Sequence, residues 1–192
     1  MTTANKITIF RVLLIPIMLI FIYIPSLKEP IGFGSWDISI GQFIFAIIFI
    51  FASLTDFLDG FIARKYNQIT TFGKFLDPLA DKILVLTGFL YLLSIDPIRF
   101  PVWAIMLVII REFTVTGIRL LAVEKKNVIA ASFFGKIKTL ITMVTLVWLL
   151  FNDFGLSTQL LGNILFYTTI VITVLSGLEY LIKNRRVVLE SM

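Results

Sequence analysis

The chain has 192 residues, 58% of them hydrophobic, a net charge of +5 and a mean hydropathy of +0.99. This hydropathy excludes an ordinary water-soluble domain, so the positive charge indicates contact with anionic lipid rather than nucleic acid, and we expect an integral membrane protein. The absence of cysteine and histidine excludes disulfides, thiol nucleophiles and imidazole bases, which leaves carboxylate, hydroxyl, lysine and arginine chemistry.

Six apolar windows are close to the ~20 residues that a membrane-spanning helix requires. In chain order they are 9–25, 37–63, 76–95, 100–122, 133–152 and 157–182. Turn and capping residues separate them at Pro25 to Gly34, Asp96-Pro97, Lys125-Lys126-Asn127 and Asn152 to Gly155. Because no linker or internal repeat divides the chain, we predict an all-α polytopic membrane protein with six transmembrane helices in one domain, residues 1–192.

The first window and the distribution of basic residues predict an orientation. Lys6 and Arg11 precede an apolar run as in a secretory signal, but no small-residue cleavage pattern follows, so we expect a retained span. On this map all but two of the 17 Lys and Arg residues, Lys28 and Arg99, lie on one side. The positive-inside rule places that side, with both termini, in the cytoplasm.

Four aspartates, Asp56, Asp59, Asp77 and Asp81, interrupt the apolar sequence. A carboxylate near a bilayer is unfavourable unless it is paired, hydrated or bound to a cation. Residues three or four apart share a helix face, which pairs Asp56 with Asp59 and Asp77 with Asp81. We expect the third helix to begin within residues 74–77, so that its acids lie in its first turns at the cytoplasmic end of the bundle, beside the other pair.

Such a cluster requires cations, and oxygen-only ligands favour Mg²⁺ or Mn²⁺, with two ions about 4 Å apart suited to a diphosphate. Gly60 and Ala63 are small enough to admit a ligand close to the helix, and Arg64 can donate to a phosphate oxygen. For any one aspartate alone, a helix cap or a partner for Lys74 or Lys82 explains the residue equally well. The complete spacing is much harder to obtain by accident.

The string D-x-x-D-G-x-x-A-R, eight residues, G-x-x-x-D-x-x-x-D is similar to the signature of the CDP-alcohol phosphatidyltransferases. All eight defined positions match: Asp56, Asp59, Gly60, Ala63, Arg64, Gly73, Asp77 and Asp81. The resemblance implies a six-helix membrane fold, usually homodimeric, with divalent metal bound by the four aspartates. It also implies that Asp81 is the general base for the acceptor hydroxyl. The CDP pocket that it implies consists of Asp56, Gly60, Ala63, Arg64 and Gly73.

Basic residues outside the signature are candidates for binding the acceptor. Arg111 lies within an apolar window, where it needs an anion or Glu112 as a partner, and Arg119 follows two turns later on the same broad face. Lys136 and Lys138 diverge on a regular helix, so both reach one ligand only from an irregular helix start. We expect the four basic residues to bind a phosphate on the acceptor. Membrane anchoring is instead expected of Lys125, Lys126, Lys183, Arg185 and Arg186.

The sequence around these residues, together with Asn5 to Arg11, resembles the bacterial branch of this family that uses glycerol-3-phosphate. The resemblance spans nearly the whole chain and implies CDP-diacylglycerol as donor, a location in the bacterial cytoplasmic membrane, and substrate contacts from Asn5 and Thr8. One departure is the Thr-Ala before Asn5, where many relatives have a proline-containing start.

Two alternatives remain open. The first alternative is a member of the same family that uses another acceptor, namely inositol phosphate, serine or phosphatidylglycerol. From another class, a divalent-cation transporter also places carboxylates in membrane helices, but it predicts acids through the bilayer depth rather than at one side. A structural scaffold gives no reason to retain four buried acids.

Overall fold

The computed structural model describes residues 2–31, 36–65, 70–124 and 133–185, without the side chains of residues 3, 4, 57–65, 71, 74, 123 and 124. These ranges contain six α-helices: α1 Thr3–Tyr23, α2 Ile40–Lys65, α3 Thr71–Ile95, α4 Val102–Glu124, α5 Phe133–Leu150 and α6 Leu160–Lys183. Short 3₁₀ helices follow α1 and α5, at Pro25–Leu27 and Asn152–Gly155. Extended pairing in the same ranges is limited to one isolated bridge between Pro30 and Ser39. The predicted all-α class is confirmed.

The protein is a multi-pass membrane protein. Four stretches of its described helices are long and apolar enough to cross a bilayer: Asn5–Tyr23, Phe75–Ile95, Phe133–Leu150 and Leu160–Lys183. A shorter apolar stretch covers Ile40–Asp56 in α2, and α4 contains Arg111, Glu112 and Arg119. Each predicted window therefore corresponds to a helix, whereas the number of six spans stays a prediction.

Large apolar side chains are exposed on all six helices, as expected of helices that face hydrocarbon. Examples are Leu13 in α1, Leu54 in α2, Leu90 in α3, Phe113 in α4 and Leu140 in α5. A water-soluble monomer seldom exposes apolar surface so extensively, because each such patch favours association. In a bilayer the same surface is in contact with acyl chains.

A glycine permits the close approach of α1 and α2, which pack against each other. A Cβ atom on Gly41, in the first turn of α2, would lie 2.7 Å from the backbone oxygen of Phe21 near the end of α1. Ser39 caps the new helix, since its Oγ accepts a hydrogen bond from the Gln42 N–H at 3.1 Å. The connection therefore returns the chain tightly alongside α1.

The first turn of α3 lies earlier than the sequence predicts. The Oγ1 of Thr70 accepts a hydrogen bond from the Gly73 N–H at 2.9 Å, so the helix begins at Thr71. The predicted start within residues 74–77 is therefore wrong, and Asp77 and Asp81 lie in the second and third turns of the helix. Pro78 is inside the helix, where it cannot donate the usual backbone hydrogen bond.

By their contacts the residues form two compact units, Met1–Leu92 with Leu146–Gln159, and Leu93–Thr145 with Leu160–Met192. A compact unit is not necessarily a domain that folds alone, so the single domain stays a prediction.

In the first unit, α2, α3 and the end of α5 pack through aromatic and aliphatic side chains. The rings of Phe45 and Tyr91 have centroids 4.3 Å apart. A Cβ atom on Gly88 would lie 3.3 Å from side-chain atoms of both Phe49 and Leu146. These two side chains therefore pack directly against the backbone of α3 at Gly88.

In the second unit, α4 packs against α6. Phe100 and Phe166 meet edge to face with centroids 5.1 Å apart. Small polar residues join α5 to α6, since the Thr145 and Thr169 hydroxyls are 2.8 Å apart. Such hydrogen bonds satisfy hydroxyls that water cannot reach between membrane helices.

Candidate functional site

A polar stripe, defined as Asn5, Thr8 and Arg11, runs along the otherwise apolar α1. Its residues follow a three-residue step and therefore share one helix face. All three are buried, and Arg11 has no exposed surface. This face of α1 is turned toward α2 and the start of α3, where the signature aspartates lie.

Arg11 joins one aspartate of α2 to one of α3. Its Nη1 donates to Asp56 Oδ1 at 2.9 Å and to Asp81 Oδ1 at 2.6 Å, while its Nε donates to Thr55 Oγ1 at 3.4 Å. The guanidinium is enclosed, whereas the side chains of Asp56 and Asp81 are 43% and 39% exposed. The carboxylates thus have one side against a buried cation and another side accessible to a ligand.

Burial of the Arg11 guanidinium makes its contacts important for the stability of the fold. An enclosed guanidinium has lost its hydration, and only paired anions and hydrogen bonds offset that loss. Because both carboxylates are partly exposed, removing one of them destabilises the protein less than breaking a fully buried pair would. Arg11 therefore holds α1, α2 and α3 together at the acidic cluster.

The other two members of the stripe contact the beginning of α3. Thr8 Oγ1 donates to Asp77 Oδ1 at 2.7 Å, and Asn5 Oδ1 accepts from Thr70 Oγ1 at 2.9 Å. A Cβ atom on Gly73 would lie 3.0 Å from Asn5 Oδ1. These contacts give Asn5, Thr8 and Gly73 a role in fixing the start of α3, and their predicted substrate contacts stay predictions.

The remaining signature residues lie in the last turns of α2, which the sequence predicts to be directed toward the cytosol. The helix runs without interruption through Asp59, Gly60, Ala63 and Arg64, so Asp59 follows Asp56 by about one turn. The side chains of these four residues lie outside the part of the chain that the structure describes, and their roles stay predictions.

The acidic residues that are described fit a hard cation. Asp56 and Asp81 direct one oxygen each to a single positively charged atom, and carboxylate oxygens are the donors that Mg²⁺ and Mn²⁺ prefer. Among the described side chains, no group of three or more acids forms a metal site. The predicted contributions of Asp59, whose side chain lies outside that set, and of Asp77 stay predictions.

The role of Arg11 in this cluster was not predicted from the sequence, which indicates Arg11 only as an N-terminal basic residue and as part of a family resemblance. The available signal was the three-residue spacing from Asn5 through Thr8 to Arg11, because polar residues on one face of an apolar helix need buried partners.

A second charged cluster, defined as Arg111, Glu112 and Lys138, lies in the other compact unit. Glu112 Oε1 accepts a hydrogen bond from Arg111 Nη1 at 3.0 Å and another from Lys138 Nζ. The three side chains are 12%, 9% and 7% exposed. Arg111 Nε is buried without a hydrogen-bond partner among the described residues. The cluster retains one net positive charge and an unused donor, which suit an anion.

Helix α6 positions both arginines of α4. A Cβ atom on Gly177 would lie 2.8 Å from Arg111 Cγ, so this glycine makes room for the arginine stem. Arg119 Nε donates to the Tyr180 hydroxyl at 3.3 Å, with its guanidinium 5.6 Å from the ring centroid. Sequence reasoning identified the arginines but not Gly177 or Tyr180, which lie about 60 residues further along the chain.

The two lysines of α5 diverge, as expected for a regular helix. Lys138 is buried in the charged cluster, whereas Lys136 is exposed. Within the described residues, no hydrogen bond or ion pair links Lys136 to the cluster. The structure therefore brings Arg111 and Lys138 together. The contribution of Lys136 to acceptor binding stays a prediction.

Comparison with known proteins gives consistent matches along almost the whole chain. A family model described as CDP-alcohol phosphatidyltransferase matches residues 1–175. A Bacillus subtilis protein named CDP-diacylglycerol–glycerol-3-phosphate 3-phosphatidyltransferase is 41% identical over 182 residues, 94% of this chain and 93% of the relative. Proteins of the same name from Escherichia coli and Salmonella choleraesuis are 35% and 36% identical, covering 95% and 91% of this chain and 94% and 90% of those relatives.

Proposed function

Since the chain belongs to the CDP-alcohol phosphatidyltransferase family, we propose that it transfers the phosphatidyl group of CDP-diacylglycerol to glycerol-3-phosphate. The products are phosphatidylglycerophosphate and CMP, and the chain is an enzyme of phospholipid synthesis. The names of relatives at 35–41% identity support these substrates. The structural observation that carries the proposal is the convergence of Asp56 and Asp81, from two helices, on one cationic centre.

The four signature aspartates, Asp56, Asp59, Asp77 and Asp81, bind two Mg²⁺ or Mn²⁺ ions. When bound, the ions hold the diphosphate oxygens and offset the charge that develops on departing CMP. The all-oxygen donors and the exposure of the described carboxylates on one side of Arg11 support this assignment.

The CDP moiety lies along the end of α2. Gly60 and Ala63 lack bulk that would keep the nucleotide from the helix, and Asp56 and Gly73 border the same pocket. Arg64 can donate to a phosphate oxygen. The acyl chains of CDP-diacylglycerol remain in the lipid, and only its head group enters the site.

Asp81 accepts the proton from the free primary hydroxyl of glycerol-3-phosphate. The hydroxyl oxygen attacks the phosphorus that bears diacylglycerol, and the bond from that phosphorus to the CMP oxygen breaks. CMP leaves with the bonding electrons, and Arg64 helps to neutralise its phosphate. One phosphodiester bond is formed and one phosphoanhydride bond is broken, so the transfer needs no other reactant.

The phosphate of the acceptor binds Arg111, Arg119 and Lys138, with Lys136 as an outer contact. The buried donor on Arg111 and the net positive charge of its cluster support this site. Such a site matches a phosphate dianion, which glycerol-3-phosphate carries and serine lacks.

The enzyme is a homodimer in the bacterial cytoplasmic membrane, with its termini and active site on the cytoplasmic side. The distribution of Lys and Arg in the sequence supports that orientation. Glycerol-3-phosphate then reaches the site from the cytosol.

The test offers radiolabelled CDP-diacylglycerol to the purified protein with glycerol-3-phosphate, serine, an inositol phosphate or phosphatidylglycerol. We expect CMP release with glycerol-3-phosphate only, and its loss in EDTA. Turnover with another alcohol would identify that alcohol as the acceptor in place of glycerol-3-phosphate. Mg²⁺ flux into proteoliposomes without CMP release would indicate a cation transporter.

A further inference from the structure

Arg11 lies between two aspartates that the proposed function assigns to divalent metal. We propose that Arg11 is an internal counter-cation for the acidic cluster, which balances Asp56 and Asp81 before metal binds and is displaced from at least one of them when metal binds. This inference rests on the proposed function only in taking these aspartates as metal ligands. It adds to that function a residue outside the eight-position signature, which sets the affinity for the ion.

The geometry at Arg11 resembles that of a bound cation. One atom, Nη1, contacts Oδ1 of Asp56 and Oδ1 of Asp81, so both carboxylates already converge on one positive centre. Mg²⁺ binds oxygen at about 2.1 Å, and each contact would have to shorten by less than ~1 Å for an ion to replace that nitrogen. The aspartates therefore need little movement to exchange one cation for the other.

The exposed side of the cluster gives the ion a route that leaves the protein packing intact. Arg11 is enclosed, while both carboxylates are close to two-fifths exposed. Its Nε hydrogen bond to Thr55, on α2, lies apart from the carboxylates. This bond retains the guanidinium behind the aspartates after Nη1 has moved.

The charge of Arg11 has two opposite effects on the enzyme. Without metal, it prevents the carboxylates of α2 and α3 from repelling each other, which keeps the helices together. With metal, a neighbouring positive charge weakens binding, as a like charge within about 4–6 Å shifts an ionic equilibrium by about tenfold or more. The cluster is thus ordered when empty and exchanges its ions readily.

The experiment measures Mn²⁺ affinity and thermal unfolding of purified wild type, Arg11→Gln and Arg11→Lys, each in EDTA and in saturating Mg²⁺. We expect Arg11→Gln to unfold at a lower temperature in EDTA, to recover most of the loss in Mg²⁺, and to bind Mn²⁺ about tenfold more tightly. Arg11→Lys, which keeps the charge, lies between wild type and Arg11→Gln in both measurements.

Two control variants separate this inference from the proposed metal site. Arg99→Gln removes a cation that contacts Asn163 in the other unit, and it should leave the Mn²⁺ affinity and the Mg²⁺-dependent stabilisation unchanged. Asp56→Asn should weaken Mn²⁺ binding. If it does not, the proposed metal site is wrong whatever Arg11 does.

If Asp56→Asn weakens binding but Arg11→Gln binds Mn²⁺ no more tightly than wild type, the counter-cation role is wrong while the metal site stands. Equal destabilisation of Arg11→Gln with and without Mg²⁺ would reduce Arg11 to a packing residue. Failure of Arg11→Gln to fold in Mg²⁺ would also overturn the inference, because the ion should then take the place of the arginine.

Discussion

Asp81 is the last aspartate of the signature, and it shares the Arg11 guanidinium with Asp56. Replacing Asp81 with Asn keeps the size of the side chain but removes the proton acceptor. We expect CMP release to fall by at least about 100-fold, while CDP-diacylglycerol binding falls much less.

Asp96→Asn is a matched control for this variant. Asp96 Oδ1 accepts from the N–H groups of Ile98 and Arg99 in the turn after α3, a capping function that Asn retains. Its activity should stay near that of the wild type. Near-normal turnover in Asp81→Asn would remove the general base from the mechanism.

Glu112 is the only acid in its buried cluster. In Glu112→Gln, Lys138 and Arg111 lose their compensating charge, and we expect the free energy of unfolding to fall by about 3–5 kcal/mol. Glu29→Gln removes an exposed acid and should cost less than about 1 kcal/mol. Chemical unfolding in detergent measures both, and similar values would contradict the buried role of Glu112.

At the scale of elements, the contact of α4 with α6 depends on Gly177. In Gly177→Ala the new methyl group would lie 2.8 Å from Arg111 Cγ, so the arginine stem must move. We expect KM for glycerol-3-phosphate to rise several-fold, with KM for CDP-diacylglycerol little changed.

Gly117→Ala is the control on the facing helix. Among the described residues, apart from the backbone of α4 itself, no atom lies within 4 Å of a Cβ added there. This alanine should therefore leave both KM values unchanged and should stabilise α4 by up to about 1 kcal/mol. An increase in the donor KM of Gly177→Ala would mean that Arg111 serves the donor rather than the acceptor.

The helices were predictable from the sequence because apolar runs and turn residues alternate clearly. The break predicted at Asn152 corresponds to three consecutive residues with positive φ, Asn152, Asp153 and Phe154. The predicted window 133–152 corresponds to α5. The start of α3 was predicted too late, because the capping hydroxyl of Thr70 was not weighed against the helix-disfavouring Gly73.

The partners of the charged residues were less predictable. Glu112 was expected to accompany Arg111, its neighbour in sequence, and the structure confirms that contact. The partners of Arg11 are not predictable in this way, because the spacing of the polar residues on α1 indicates a buried face but not which helices that face contacts. Contacts such as Arg119 with Tyr180 join residues far apart in the chain, and local spacing carries no information about them.

At the scale of the whole molecule, a few charged side chains, Arg11, Glu112 and Lys138 among them, are buried, while large apolar side chains are exposed on all six described α-helices. The signature aspartates belong to one compact unit and the predicted acceptor residues to the other. A reaction that joins a lipid-soluble donor to a water-soluble acceptor requires both kinds of site.

The most direct test of the central claim titrates Mg²⁺ into purified protein and records CMP release from CDP-diacylglycerol and glycerol-3-phosphate. We predict no release in EDTA, saturable release with added Mg²⁺, and a strong shift of the titration to higher Mg²⁺ in Asp56→Asn. CMP release that persists in chelator, or an Asp56→Asn titration that coincides with that of the wild type, would contradict the account.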